Sequence, residues 1–294
     1  MHVGVERIAL PDSPNASFVA ATFFTPTNPR ASIVISAAMG VTQKFYMPFA
    51  QWLATQGYAV VTYDYRGMGL SAPPSLRNFD MSISDWAQGD VAAIIDTAKS
   101  RAPSIPLFIL GHSLGAQIIG MVPNRQLIAG MIIVASGSGY WRETSPPTKR
   151  NSPWLWYLLA PALTPLFGYF PGKKINVIAD IPRGVIEQWR RWCMQPEYLL
   201  GVESATLRQD YANIRIPMLC ISFTDDEMMS ASSTAALLRY YSHADVQHLR
   251  FVPKDLDEHR IGHFGFFRSQ LECKLWPKTT AWLEQCCARL NMSG

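Results

Sequence analysis

The segment Gly111–Gly115 constrains the fold of this chain more than any other part of the sequence. It reads Gly-His-Ser-Leu-Gly and lies between an apolar, strand-like run at Leu107–Leu110 and a helical one at Ala116–Ile119. A serine at such a strand–turn–helix junction occupies a strained backbone position, and flanking glycines leave room for strand and helix to approach closely. The hydroxyl of Ser113 then projects at a helix N-terminus, whose dipole favours developing negative charge. We therefore predict that Ser113 is a nucleophile.

Short apolar, strand-like runs alternate with helical segments through most of the chain. The predicted strands are Ile33–Ile35, Tyr58–Tyr63, Pro106–Leu110, Met131–Val134, Met218–Phe223 and Val246–Val252. The predicted helices are Lys44–Gln56, Ile83–Lys99, Leu114–Val122, Ser232–Tyr240 and Gln270–Arg289. This alternation predicts an α/β fold with a mostly parallel central sheet and helices on both faces. An edge hairpin of Val3–Leu10 and Ala16–Phe24, around the turn residues Pro11–Asn15, is predicted to precede it.

The alternation stops between residues 137 and 212. This segment is rich in Trp, Pro and Tyr and contains no strand-like run. We predict an α/β core at residues 1–136 and 213–294 and an inserted helical cap, or lid, at 137–212. The tryptophans of the cap predict either an apolar roof over Ser113 or a small core of the cap itself. The uncharged stretch Trp154–Phe170 is interpreted as cap rather than membrane span, because Pro161 and Pro165 interrupt it.

Composition and charge exclude several classes of protein. Hydrophobic residues make up 48% of the chain, charged residues 16%, and the net charge is +4, which excludes a disordered chain. The scattered basic residues form no face for nucleic acid, and Arg183, Arg190 and Arg191 are interpreted as a solvated helix face.

The five cysteines have neither C-x-x-C nor metal-ligand spacing, which predicts reduced thiols and no metal site. The polar N-terminus has no signal-peptide pattern, so we expect a cytoplasmic protein.

A second motif extends the interpretation of the first. Residues Asp64–Ser71 read Asp-Tyr-Arg-Gly-Met-Gly-Leu-Ser and resemble the D-x-R-G-x-G-x-S turn of the α/β-hydrolase superfamily. The resemblance covers nearly the whole chain. It is greatest to bacterial predicted hydrolases of unassigned substrate, and more distant to monoacylglycerol-lipase-like, serine-aminopeptidase-like and homoserine acetyltransferase proteins. It implies an α/β-hydrolase fold with a serine nucleophile, a later acid and a final histidine, in that chain order.

The resemblance places the catalytic histidine between the last strand and the last helix, which selects His263. Gly262 and Gly265 permit a tight loop around this residue. His259 is the alternative, but it lies among charged residues that indicate a solvated position. The His112 side chain, within the nucleophile turn, is expected to point away from Ser113.

The resemblance also places the acid after the penultimate strand, four residues before the following helix. Asp226 has this spacing, with Ser230 in place of the family's usual proline, and Asp225 is the alternative. The acid would hold the tautomer of the histidine and stabilise its imidazolium form. The remaining carboxylates, including Glu227, are expected to form a solvated or helix-capping cluster.

An acyl-transfer site also needs hydrogen-bond donors for its oxyanion. One is expected to be the backbone N–H of Leu114, directly after the nucleophile. The other is expected in the loop after Ile33–Ile35, where the chain has Ala-Met-Gly instead of the His-Gly of many relatives. The sequence does not separate Ala38 from Met39 as this second donor.

Together these residues predict a serine hydrolase that cleaves a small, partly apolar carboxylic ester, in preference to an amide, through an acyl-enzyme on Ser113. No cofactor, metal ion, nucleic-acid partner or stable membrane span is expected, and a homodimer is left open. Acyl transfer to an alcohol, as in homoserine acetyltransferases, is the first alternative. The second is a non-catalytic ligand-binding module of the same fold.

Overall fold

The computed structural model describes residues 1–10 and 17–293. Its strands are β1 (His2–Ala9), β2 (Phe18–Thr25), β3 (Ser32–Ser36), β4 (Ala59–Asp64), β5 (Leu107–His112), β6 (Ile128–Val134), β7 (Tyr169–Phe170), β8 (Ile181–Pro182), β9 (Pro217–Phe223) and β10 (Asp245–Phe251). An eight-stranded sheet has the order β1-β2-β4-β3-β5-β6-β9-β10, and β7 pairs separately with β8. The predicted strands of the core are therefore confirmed, with ends that differ by a few residues.

The central sheet is mostly parallel, as predicted. Only the β1–β2 and β2–β4 pairs of this sheet are antiparallel, and all pairs from β4 to β10 are parallel. Every residue of β3 and β5 is buried. Because successive side chains of a strand point to opposite faces, both faces of the sheet are covered at its centre. The predicted edge hairpin is present as β1 and β2, whereas its predicted turn, Pro11–Asn15, lies outside the described residues.

The helices are α1 (Met47–Thr55), α2 (Ile83–Asp85), α3 (Ala92–Arg101), α4 (Leu114–Gln117), α5 (Pro146–Pro153), α6 (Ala160–Phe167), α7 (Arg183–Cys193), α8 (Leu207–Ala212), α9 (Ala231–Leu238) and α10 (Glu272–Ser293). Two π-helical segments, Trp86–Val91 and Trp154–Leu159, join α2 to α3 and α5 to α6. The helix after Ser113 is shorter than predicted. It ends at Gln117, whose carbonyl oxygen accepts a hydrogen bond from the Tyr211 hydroxyl, and a 3-10 turn follows.

The chain between β6 and β9 contains α5 to α8 and the β7–β8 pair. The prediction that this segment has no strand is wrong, because Tyr169–Phe170 pairs with Ile181–Pro182. Strands of two residues are too short to leave an alternating pattern in the sequence. The uncharged stretch Trp154–Phe170 is broken at Gly168, which has a left-handed φ of 80°. Within residues 1–10 and 17–293, no helix combines the length and the apolar character that a membrane crossing requires.

Candidate active site

Ser113 lies in a strained turn directly after β5. Its φ of 51° and ψ of −116° are unusual for a residue other than glycine. The turn is tight because α4 passes close to the sheet: a Cβ atom on Gly115 would lie 2.1 Å from the carbonyl oxygen of Ser36. A Cβ atom on Gly111 would lie 2.4 Å from the backbone of Ala116. Both glycines of the motif are therefore required by the close approach of the main chains.

His263 and Asp226 form a buried pair. His263 Nδ1 lies 3.0 Å from Asp226 Oδ2 and 3.1 Å from Oδ1, and the N–H groups of Met228 and Met229 donate to Oδ1 across 2.8 Å each. Since a carboxylate only accepts, Nδ1 carries the proton and Nε2 is left as a base. The His263 ring lies against the nucleophile turn, with its centroid 5.0 Å from that of His112.

Asp225 and Glu227 hold the loop that carries His263. The Oδ2 atom of Asp225 accepts hydrogen bonds from the N–H groups of Ile261 (2.8 Å) and Gly262 (3.1 Å). Glu227 Oε2 accepts one from the N–H of His263 itself (3.0 Å). The expected solvated cluster is found only in part, since Glu227 also pairs with the exposed Arg260 across 3.2 Å. Asp225 binds the backbone of the loop, and Asp226 is the residue that contacts the imidazole.

Two further residues bear on the sequence assignment of the acid and base. His259 is exposed, and the described contacts of Asp226 do not include it. Ser230 begins α9, because its hydroxyl accepts a hydrogen bond from the N–H of Ser233 across 3.1 Å. A serine cap can begin a helix as a proline does, so the spacing between Asp226 and the helix is kept.

A buried chain of hydrogen bonds joins three loops of the site. The Tyr46 hydroxyl accepts from the Ala38 N–H (2.9 Å) and contacts His112 Nδ1 (2.8 Å), and His112 Nε2 contacts the carbonyl oxygen of His263 (3.0 Å). Burial, assisted by nearby His263, holds the pKa of His112 well below its usual range, so the ring is neutral. A carbonyl only accepts, so Nε2–H donates to His263, and Nδ1 accepts from Tyr46.

This network separates the two candidates for the second oxyanion donor. The N–H of Ala38 is committed to Tyr46. In the described part of the chain, the N–H groups of Met39 and Leu114 have no hydrogen-bond partner, and both residues line a cavity with Ser113. Met39 and Leu114 therefore have backbone N–H groups free to donate beside Ser113, whereas Ala38 does not. Tyr46 was not singled out by the sequence, since it lies in a predicted helix and its partner His112 is 66 residues away.

The cavity beside Ser113 has a volume of about 90 Å³ and mostly apolar walls. Trp156 and Trp189 line it, so these two tryptophans form part of a wall beside Ser113. Trp192 is instead fully buried within the packing of α7, and Trp154 is 65% exposed. Both interpretations of the aromatic segment thus apply, each to different residues.

The arginines of α7 have different environments. Arg183 and Arg191 are exposed, as predicted for a solvated face, and Arg183 pairs with Glu187 across 2.9 Å. The prediction is wrong for Arg190, whose Nε donates to the carbonyl oxygen of Trp156 across 2.5 Å. Among residues 1–10 and 17–293, no three His, Cys, Asp or Glu side chains come together as potential metal ligands.

Comparison with known proteins identifies the family. Residues 27–184 match the Hydrolase_4 family, which is described as serine aminopeptidase, S33. The chain belongs to this family of α/β hydrolases. A monoglyceride lipase homologue of monkeypox virus is 32% identical over 113 residues, which are 37% of this hydrolase and 39% of the viral protein. The matched region therefore spans less than half of that relative.

Solved structures share the fold of this α/β hydrolase over almost its whole length. A soluble variant of the Saccharomyces cerevisiae monoglyceride lipase, in complex with a substrate analogue, has a TM-score of 0.69 at 16% identity and covers 97% of this chain and 95% of its own. A carboxyl esterase from Bacillus coagulans, in complex with glycerol, has a TM-score of 0.64 at 13% identity, with coverages of 98% and 99%. The predicted α/β-hydrolase fold is confirmed.

The Asp64–Ser71 turn carried the resemblance to the α/β hydrolases. It lies outside the site and contacts the chain that follows the loop after β3. Asp64 accepts hydrogen bonds from the backbone N–H (2.8 Å) and the side-chain amide (3.0 Å) of Gln43, a few residues after the oxyanion loop. Arg66 forms a buried ion pair with Asp90 across 2.5 Å. Through Gln43, Asp64 therefore helps to anchor the chain that follows the loop after β3.

Proposed function

We propose that this α/β hydrolase cleaves carboxylic esters with an apolar acyl group through an acyl-enzyme on Ser113. The observation that carries the proposal is the buried His263–Asp226 pair lying against the strained turn of a serine. A serine hydroxyl becomes a nucleophile when an oriented imidazole accepts its proton. The family match and the esterase folds among the related structures agree with this reaction.

The chemistry follows the positions of these groups. The Oγ atom of Ser113 attacks the ester carbonyl while Nε2 of His263 takes its proton, and Asp226 stabilises the imidazolium. The carbonyl oxygen gains negative charge and is bound by the N–H groups of Met39 and Leu114. The imidazolium then protonates the departing alcohol. Water, deprotonated by the same Nε2, attacks the acyl-enzyme and releases the carboxylic acid and free Ser113.

The walls of the cavity favour a hydrocarbon acyl group over an amino-acyl group. The hydroxyls of Thr144, Thr148 and Ser152 each donate to a backbone carbonyl, and both ends of the Gln117 amide are hydrogen-bonded. No Asp or Glu is among the described residues that line the cavity. An α-ammonium group would therefore be buried without a counter-charge, which costs several kcal/mol. Ester cleavage fits this site better than the aminopeptidase activity in the family's description.

The test compares p-nitrophenyl butyrate with alanine p-nitroanilide. We expect hydrolysis of the ester only, and a loss of kcat of roughly ten-thousand-fold or more in Ser113→Ala and His263→Ala. Ser269→Ala, at an exposed serine, is the control and should retain full activity. Equal rates for wild type and Ser113→Ala would refute the mechanism.

The same experiment decides between the alternative functions. Homoserine or another alcohol is added, and the products are analysed by mass spectrometry. If a new ester of the alcohol forms in preference to the free acid, the enzyme is an acyltransferase rather than a hydrolase. A fluorophosphonate probe that fails to label Ser113 in the folded protein would instead favour a non-catalytic binding module.

A further inference from the structure

The cavity beside Ser113 is closed on one side by large aromatic side chains. Ser113, Leu114 and Met39 contribute the wall next to the central sheet, and Trp156 and Trp189 contribute the wall from the segment between β6 and β9. The two indole rings meet edge to face, with centroids 5.0 Å apart and an interplanar angle of 82°. The space available to an acyl group is therefore limited by the position of this pair.

We propose that Trp156 and Trp189 set an upper limit to acyl-chain length, so that the enzyme takes esters of short and medium-chain acids and excludes long-chain ones. This inference rests on the proposed ester hydrolysis. The cavity volume is about 90 Å³. A cavity needs about 10–15 Å³ of such space to hold a single water, so this one is only a few groups long and has room for a short or medium acyl chain but not for a palmitoyl chain.

The aromatic wall is held in place by contacts on both sides. Trp156 is only 3% exposed, and its carbonyl oxygen accepts the hydrogen bond from Arg190 of α7. Trp189 follows Gln188, whose Oε1 accepts from the backbone N–H of Ile83 across 2.7 Å and so ties α7 to the start of α2. These hydrogen bonds hold the backbone that carries the two rings, and moving either ring to admit a longer chain would break the packing between them.

The experiment measures kcat/KM for p-nitrophenyl acetate, octanoate and palmitate at one detergent concentration. For the wild type we expect palmitate to be poorer than octanoate by roughly ten-fold or more. Trp189→Ala and Trp156→Ala open the wall and should each raise the palmitate-to-octanoate ratio by roughly ten-fold or more. Trp154→Ala is the matched control, because Trp154 lies in the same π-helical segment but is 65% exposed and does not line the cavity. Its chain-length profile should equal that of the wild type.

The outcomes separate this inference from the proposed function. Ser113-dependent hydrolysis with no preference for octanoate over palmitate would overturn the chain-length limit and leave the ester hydrolase standing. An equal shift in Trp154→Ala and Trp189→Ala would also overturn it. Activity on no ester at all would refute the proposed function itself. Fluorophosphonate labelling shows whether each variant has an intact site, and Trp189→Phe, a smaller enlargement, replaces Trp189→Ala if the latter does not fold.

Discussion

The backbone N–H of Ala38 donates a hydrogen bond to the hydroxyl of Tyr46 across 2.9 Å. This contact fixes the loop after β3 and leaves the N–H of the next residue, Met39, without a partner in the described chain. The same hydroxyl continues through His112 to the carbonyl oxygen of His263. The Tyr46 hydroxyl and the His112 ring together therefore link the loop after β3, the turn at Ser113 and the loop that carries His263.

Tyr46→Phe should lower kcat by roughly ten-fold to a hundred-fold and change KM little. The substitution keeps the ring but leaves the Ala38 N–H and His112 Nδ1 buried without a partner, which costs about 1–3 kcal/mol each. Steady-state kinetics on p-nitrophenyl butyrate, with thermal unfolding measured in parallel, tests this. Tyr58→Phe is the control, because Tyr58 is also buried and has none of these contacts. Equal losses in the two variants would contradict a positioning role for Tyr46.

The neighbouring acids Asp225 and Asp226 should behave differently when each is replaced by asparagine. Asp226→Asn should lower kcat by roughly ten-thousand-fold, because the amide favours the wrong tautomer of His263. Asp225→Asn retains an oxygen that can accept from Ile261 and Gly262, so we expect a loss of about ten-fold or less in kcat, together with a lower unfolding temperature. A larger loss of kcat in Asp225→Asn than in Asp226→Asn would show that Asp225, and not Asp226, orients His263. Measuring kcat for both variants on one ester is sufficient to test this prediction.

His112 should make the free energy of unfolding fall at acid pH. Burial lowers its pKa well below the ordinary 6.5 in the folded protein, so above pH 6.5 the ring is neutral in both states and adds no pH dependence. As the pH falls through 6.5, the unfolded chain takes up a proton that the folded chain does not. This residue then contributes a decline of up to about 1.4 kcal/mol per pH unit.

His112→Gln removes that titration and keeps a donor and an acceptor. Urea unfolding at several values between about pH 5 and pH 7 should therefore give a shallower decline for the variant than for the wild type. His243→Gln, at an exposed histidine, should leave the wild-type slope unchanged. Parallel curves for wild type and His112→Gln would show that His112 is protonated in the folded state as readily as in the unfolded chain.

Gly115→Ala should disable the nucleophile turn. The new methyl group would lie 2.1 Å from the carbonyl oxygen of Ser36, so the main chain of α4 or β3 must move. We expect a destabilisation of about 1–3 kcal/mol or more, with loss of fluorophosphonate labelling at Ser113. Gly201→Ala, where the nearest atom would be 3.3 Å away on an exposed turn, provides the comparison and should label normally. Normal labelling of Gly115→Ala would contradict the steric argument.

The sequence was most informative where structure depends on nearby residues. Apolar runs located β3 and β5, and two glycines around Ser113 indicated the tight turn, because strand burial and turn sterics act over a few positions. The pattern of apolar residues did not predict β7 and β8, because strands of two residues are too short to show a periodicity. It also failed at the end of α4, where the hydroxyl of Tyr211, more than ninety residues away, binds the Gln117 carbonyl.

The sequence by itself determined the α/β alternation and the tight turn at Ser113, and its resemblance to the α/β hydrolases implied the order serine, acid, histidine. It did not distinguish Ala38 from Met39, it left Asp225 as an alternative to Asp226, and it did not predict that Asp225 and Glu227 bind the backbone of the His263 loop. The first point depends on the position of the Tyr46 hydroxyl, which His112, 66 residues away, also binds. The other two depend on contacts with a loop 36 residues further along the chain. The size of the cavity beside Ser113 also depends on tertiary packing, because two tryptophans of a distant segment line it. Packing between remote segments leaves no periodic signal in one sequence, and so it was visible only in the folded chain.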